Sequence, residues 1–305
     1  MAKRKNKGRP VHGVVLLDKP LDMSSNHALQ KVKRLFNAQK AGHTGSLDPL
    51  ATGMLPICLG EATKVSAFLL DADKTYEFTC KLGQRTSTAD AEGEVIERCD
   101  YQHVTRELID AVLPSFLGDI EQIPPMYSAL KKDGQRLYEL ARKGEEVERK
   151  PRPVTIHELA LLDFSGDEIQ LRVHCSKGTY VRTLAEDLGR ALNSCAYVSS
   201  LRRTRVGPFD AGMIELARLE QAAEQGVAEL DQSLLPVDSA IQDWPEVRLD
   251  ADSAYYLKLG QPVQVARAPT AGLVRLYHEQ QFLGVGLIQD NGLVAPKRMM
   301  VYGEH

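Results

Sequence analysis

Twelve residues, GHTGSLDPLATG (Gly42–Gly53), restrict this chain more than any other stretch. Three glycines and the Asp48-Pro49 step forbid a continuous helix or a plain buried strand there. The segment therefore reads as an ordered loop between an amphipathic helix and an apolar strand. Pro49 biases Asp48 toward extended backbone, which sets the direction of its carboxylate. Gly42, Gly45 and Gly53 would let another backbone come close. An aspartate in such a loop is commonly a turn or helix-cap residue. The other reading is a reactive carboxylate, a nucleophile or base once something keeps it ionised and oriented. A single carboxylate cannot perform the two-acid hydrolysis of ordinary glycosidases.

The flanking segments fit that frame. GVVLLDKP (Gly13–Pro20) is a short apolar run stopped by a proline, a buried strand entering a turn. Ser24 or Ser25 caps a helix with Ala28, Leu29, Val32, Leu35 and Phe36 on one face. KTYEFTCKLG (Lys74–Gly83) alternates as a strand, with EGEVIERC as a possible partner. The runs on either side of SGD predict a hairpin, and TYVRTLAEDLGRAL a helix that starts beside Gly178. From Lys131 to Arg152 there are eight bases against five acids, with turn signals throughout. The stretch 123–153 therefore reads as a protruding excursion with one short helix at 135–143. A boundary is expected near Trp244–Pro245, giving domains at 1–245 and 246–305. The glycine-punctuated β-branched runs of the second suggest a small β-barrel.

Charge is uneven. Met1–Pro10 holds five bases and no acid, whereas Glu215–Asp250 holds nine acids against two bases, so the net charge of −3 conceals basic surface elsewhere. Five widely spaced cysteines without a C-x-x-C pair predict reduced thiols in a cytoplasmic protein. The histidine spacings support no metal site, and the N-terminal apolar run is too short for a signal peptide or membrane span.

Candidate partners for Asp48 lie far along the chain. GTYVRT (Gly178–Thr183) places Tyr180 and Arg182 two residues apart, and Arg182 can hold a carboxylate bidentately and lower its pKa. Tyr76 is either strand packing or a stacking ring; His43 caps a turn or stacks on a base. Lys64 is a surface lysine or a phosphate contact. LRRTR (Leu201–Arg205) and the excursion bases Lys131, Lys132, Arg136, Arg142 and Lys143, interleaved with Tyr127 and Tyr138, suit a phosphate backbone or a solvated face.

Taken in order, GHTGSLDPLATGMLPICLGEATK, DKTYEFTCKLG, IPPMYSALKKDGQRLYELAR, CSKGTYVRTLAEDLG and LRRTRVGPF resemble the TruB-type pseudouridine synthases over most of the first 210 residues. The last segment resembles the PUA-type RNA-binding domain more weakly. Ser46 stands where related sequences vary among small residues. The resemblance implies an α+β fold: a mixed, largely antiparallel central sheet with flanking helices, plus a small C-terminal PUA-like β-barrel. It implies isomerisation of a T-loop uridine of tRNA to pseudouridine, without cofactor or metal, by a monomer that needs no membrane and no protein partner. It assigns Asp48 as the essential aspartate, Tyr76 as the aromatic that stacks on the flipped uracil and takes part in proton transfer, and Arg182 as the partner of Asp48. Tyr180 and Leu201 would line the base pocket, His43 would support the T loop, and Lys19-Pro20 would lie near the cleft. The excursion would be a thumb closing over the RNA. The chemistry agrees with the residues: a C–N bond is broken and a C–C bond made with no redox change, and the base must leave its stack to be reached. A pure tRNA-binding or folding factor and a glycosidic hydrolase are the rival readings.

Overall fold

The computed structural model describes residues 8–302 except 129, 133, 142 and 146, and the side chains of 131, 132 and 136 are also outside it. Four of the N-terminal bases and Arg142 thus fall outside the described residues, as do the side chains of Lys131, Lys132 and Arg136. The fifth N-terminal base, Arg9, is paired with Asp231. The chain forms two compact units. One takes the described residues up to Ser46, Leu55–Leu70, and those from Gly207 onward; the other takes Leu47–Met54 and Asp71–Val206.

The second unit carries Asp48. Its sheet runs, neighbour by neighbour, Ala51–Leu59, Ala196–Val206, Lys74–Leu82, Glu168–Cys175, Arg152–Ser165 and Gly118–Gln122. Only the first pair is parallel; the others are antiparallel. The mixed, largely antiparallel sheet is therefore present as expected. The SGD hairpin forms as Arg152–Ser165 against Glu168–Cys175. EGEVIERC does not join the sheet: Val95–Arg98 pairs with Gln84–Thr86 as a separate two-stranded ribbon. Gly83, at φ +80°, turns the chain out of the Lys74–Leu82 strand first. The excursion contains the tiny hairpin Lys131–Lys132/Gln135–Arg136 and the helix Leu137–Ala141, shorter than expected.

Alternation in Lys74–Leu82 puts Phe78, Cys80 and Leu82 into the core. The helices Val181–Ala191 and Arg106–Val112 cover that face through Val181, Leu184, Ala185, Leu188 and Ile109. Gly189 makes the first contact possible: a Cβ there would sit 2.6 Å from the Ala196 nitrogen. Tyr76, Leu201 and Leu50 pack at the margin of this core.

Two of the five cysteines are not free thiols: Cys99 and Cys195 form a disulfide, with Cα atoms 5.7 Å apart. Spacing gave no hint because the fold joins residues 96 apart. Gly83 lies between the two segments, receiving the Cys99 N–H on its carbonyl and donating its own N–H to Cys195 O. Cys58, Cys80 and Cys175 are buried and free.

In the first unit, Ser24 caps the helix Ser25–Leu35 by accepting from the His27 N–H. The C-terminal segment folds as a four-stranded sheet, Glu246–Leu249, Gly272–His278, Gln281–Ile288 and Val294–Met299, with the helix Ala251–Lys258 contributing Ala254 and Leu257 to its own core. PVQVA is not a strand and contributes one isolated bridge, Val263 to Val294. No helix among the described residues is long and apolar enough to cross a membrane.

Candidate active site

The Asp48 loop ends at Gly53, and that glycine has a strict reason. Its φ is +96°, and a Cβ would stand 2.3 Å from the Arg203 carbonyl oxygen. Gly53 lets the strand that follows Asp48 press onto Ala196–Val206, in register Leu201↔Ala51 and Arg203↔Gly53. Gly42 has no such role, with its nearest neighbour atom at 3.9 Å. The close approach at Gly53 is thus backbone on backbone. Gly53→Ala combines left-handed strain with this clash and is expected to cost about 3 kcal/mol of stability. A denaturant melt checks it; an unchanged midpoint would mean that the strand does not need the close approach.

Arg182 is the second residue of the helix Val181–Ala191, whose N-cap is Tyr180. Sequence periodicity places both residues at a helix start, and Gln122 fixes them there. Its buried amide accepts the Tyr180 N–H at 2.9 Å and donates to the Tyr180 carbonyl at 3.3 Å. The Arg182 side chain is 7% exposed, and one nitrogen lies 2.9 Å from the Asp48 carboxylate, which is itself 44% exposed. The other terminal nitrogen turns to a second acid, Asp90, at 3.3 Å. The guanidinium also donates to the backbone carbonyls of Thr88 (3.1 Å) and Tyr127 (2.6 Å). Four acceptors arranged around one planar cation hold it in this orientation.

Asp90 is the partner of Arg182 that sequence reading missed. It is 2% exposed, and its carboxylate also accepts the Thr88 hydroxyl and, at 3.1 Å, the Glu92 N–H. Those contacts and the guanidinium compensate the buried charge. A signal existed in STADAEG (Ser87–Gly93), a tight turn with a central acid, but nothing in it points to Arg182. Asp48 is therefore lone in sequence and not in space: one arginine holds a partly exposed acid on one side and a buried acid on the other.

Tyr76 lies directly opposite Arg203 on the adjacent strand. Burial pushes its phenol up, while the charge and hydrogen bond of Arg203 pull it down and the Asp48 charge raises it again. The ring thus sits in the electrostatic field of both groups. Burial likewise raises the Tyr180 phenol, opposed by the charges of Arg152 and Arg182. Leu201 pairs with Phe78 and Ala51. Asp48, Tyr76, Tyr180, Arg182 and Leu201 all belong to one compact unit.

His43, Lys19, Pro20 and Lys64 belong to the other unit. His43 ends the strand Ala41–His43, opposite Ile57. Lys19 is buried, donating to the carbonyls of Pro20 and Met23, so it holds its own turn together. Lys64 pairs with Glu61 and donates to Met299 O at 2.9 Å. LRRTR is not a uniform basic face: Arg205 is exposed and Arg202 half-buried, but Arg203 is 1% exposed. A cavity of about 680 Å³ adjoins Thr88 and Tyr127, but Asp48, Tyr76 and Tyr180 do not line it.

Comparison with known proteins follows the same segments. A family model described as "TruB family pseudouridylate synthase (N terminal domain)" matches residues 33–181. Two further models, "tRNA pseudouridylate synthase B C-terminal domain" and "Pseudouridine synthase II TruB, C-terminal", match residues 182–242 and 245–300. Proteins named tRNA pseudouridine synthase B are similar over nearly the full length. That of Nitrosococcus oceani is 55% identical over 97% of each chain, and that of Ectopseudomonas mendocina 56% over 99% of this chain and 100% of its own. Among solved structures, a chain of a Cbf5-Nop10-Gar1 complex superposes with a TM-score of 0.72 at 25% identity, covering 94% of this chain and 84% of that one. A chain of an H/ACA RNP bound to a substrate RNA containing 2'-deoxyuridine gives 0.72 at 22% identity over 98% and 92%, a likeness of fold.

Proposed function

The chain belongs to the TruB family of pseudouridine synthases, and we propose that it converts a T-loop uridine of tRNA with Asp48 as the reacting carboxylate. It is an RNA pseudouridine synthase that acts on tRNA. The reaction breaks the bond from the sugar C1′ to N1 of uracil, turns the base, and joins C1′ to C5. The proton that C5 loses is balanced by the one N1 gains, so nothing is oxidised or reduced.

The observation that carries the site assignment is the contact of Arg182 with Asp48, reinforced by Asp90 behind it. Arg182 favours the ionised carboxylate and fixes where it points, which lets a single acid do the work. Partial exposure of Asp48 leaves it reachable by an extruded nucleotide. Tyr76 and Leu201, at the margin of the core, are positioned to hold the base, and Tyr180 stands at the N-cap beside Arg182. We assign His43, Lys64 and the Lys19-Pro20 turn to the support of the RNA around it. The domain division is proposed at residue 245, with the C-terminal sheet as an RNA-binding module. The monomer acts alone in the cytoplasm.

A T-arm stem–loop incubated with the enzyme and digested to nucleosides tests this reading. Pseudouridine in place of one T-loop uridine is expected. Free uracil would make the protein a hydrolase, and unchanged RNA bound at full affinity would make it a binding factor.

A further inference from the structure

Arg203 is the largest side chain among those almost wholly buried, and the reading above gives it no task. At 1% exposure it cannot meet a phosphate, although it sits within the basic run LRRTR. Its Nε donates to the Met54 carbonyl at 2.7 Å, just past the Asp48 loop. Arg203 is the Cα partner of both Tyr76 and Gly53, and its guanidinium acts on the facing Tyr76 hydroxyl through its charge and its donors. A bulge at Ser199 makes this possible. It breaks the alternation between Val198 and Ser200, so that Leu201 and Arg203 share the face of Phe78 and Tyr76. A second buried cation, Lys74 on the Tyr76 strand, gives its ammonium to Ala72 O. Burial and the Arg203 charge depress it to about 8.

A guanidinium has donors only, so the Tyr76 oxygen must accept from it. The tyrosine's one O–H is then turned away from the arginine. We propose that Arg203 is a positioning residue for the reaction: it clamps the Tyr76 oxygen and the backbone beyond the Asp48 loop to one rigid cation, fixing the ring relative to the reacting acid. This deepens the proposed function and rests on its assignment of Tyr76 to the base.

A double-mutant cycle on turnover of a T-arm stem–loop tests it. Arg203→Gln is expected to lower kcat about 30-fold, part of what a group handling a proton in the transition state supplies, with KM within about twofold. Arg203→Lys, which keeps the charge and loses the fork, should recover part of the loss. In a Tyr76→Phe background, Arg203→Gln should cost less than about threefold, because the group it positions has gone. A full 30-fold loss in that background, or unchanged kcat in Arg203→Gln, overturns the proposal. Wild-type turnover in Tyr76→Phe overturns the proposal, because the oxygen that Arg203 clamps then does no work, and leaves the ring's assignment to the base standing. Should the Arg203 variants not fold, nitrogen-15 spectra of the arginine side chains decide on chains that keep Arg203. A slowly exchanging guanidinium signal in the wild type should be lost in Tyr76→Phe; identical spectra overturn the contact.

Discussion

Asp48→Asn is expected to abolish pseudouridine formation, lowering turnover by roughly five orders of magnitude or more, because the carboxylate proposed to react becomes an amide. Binding of tRNA stays within about threefold. Asp48 carries the same sign as the RNA backbone, so neutralising it removes no attraction to phosphate. Stability also holds: Asp48 is 44% exposed, and solvent screening leaves little of its ion pair as folding energy. Arg182 keeps its buried partner Asp90 in this variant, so no charge is stranded in the interior. Nucleoside analysis of digested RNA checks the chemistry, and filter binding checks affinity. A variant that still converts uridine at a wild-type rate would move the reacting group elsewhere.

Arg182→Met produces the second large effect, and there fold and chemistry must be separated. Removing the guanidinium strands the carboxylate of Asp90, and breaking one side of a buried pair costs about 3–5 kcal/mol. Turnover falls by about a thousandfold as Asp48 loses its orienting partner and the charge that favours its ionised form. The second substitution Asp90→Asn relieves the stranded charge. An amide oxygen can still accept from the Thr88 hydroxyl and the Glu92 N–H, the two contacts that Asp90 makes within its own turn. The double variant Arg182→Met/Asp90→Asn is therefore expected to regain most of the lost stability and almost none of the turnover. Recovery of both would reduce Arg182 to a structural prop. Equal losses in turnover and RNA affinity would identify a phosphate contact instead. Thermal melts with steady-state kinetics on a T-arm RNA distinguish these outcomes.

The strands and helices that carry the site were legible because their signals are local. Alternation marked Lys74–Leu82, and the SGD turn marked the hairpin beside it. The 3.6-residue period marked the Arg182 helix, with Tyr180 and Arg182 at its start. Asp48 and Arg182 were each ambiguous alone and became a pair through a family resemblance. What stayed hidden depended on long-range placement. Asp90 reads as an ordinary turn acid until the ribbon Gln84–Arg98 folds beside the helix. The Ser199 bulge has no residue signature, yet it decides which arginines of LRRTR face the core. Alternation carried straight through from Ala196 and Val198 would have buried Arg202 and exposed Arg203. The Cys99–Cys195 bridge escaped for the same reason, since closing it requires the whole sheet to form between the two residues.

The central claim is that one carboxylate, oriented by an arginine that a buried acid anchors, suffices to isomerise the nucleotide. Tritium release from a T-arm stem–loop carrying 5-tritiated uridine, with enzyme in excess and binding measured on the same samples, tests it most directly. The wild type should release the label in full, while Asp48→Asn binds the RNA as tightly and releases none. Release by Asp48→Asn at a rate near that of the wild type would contradict the account.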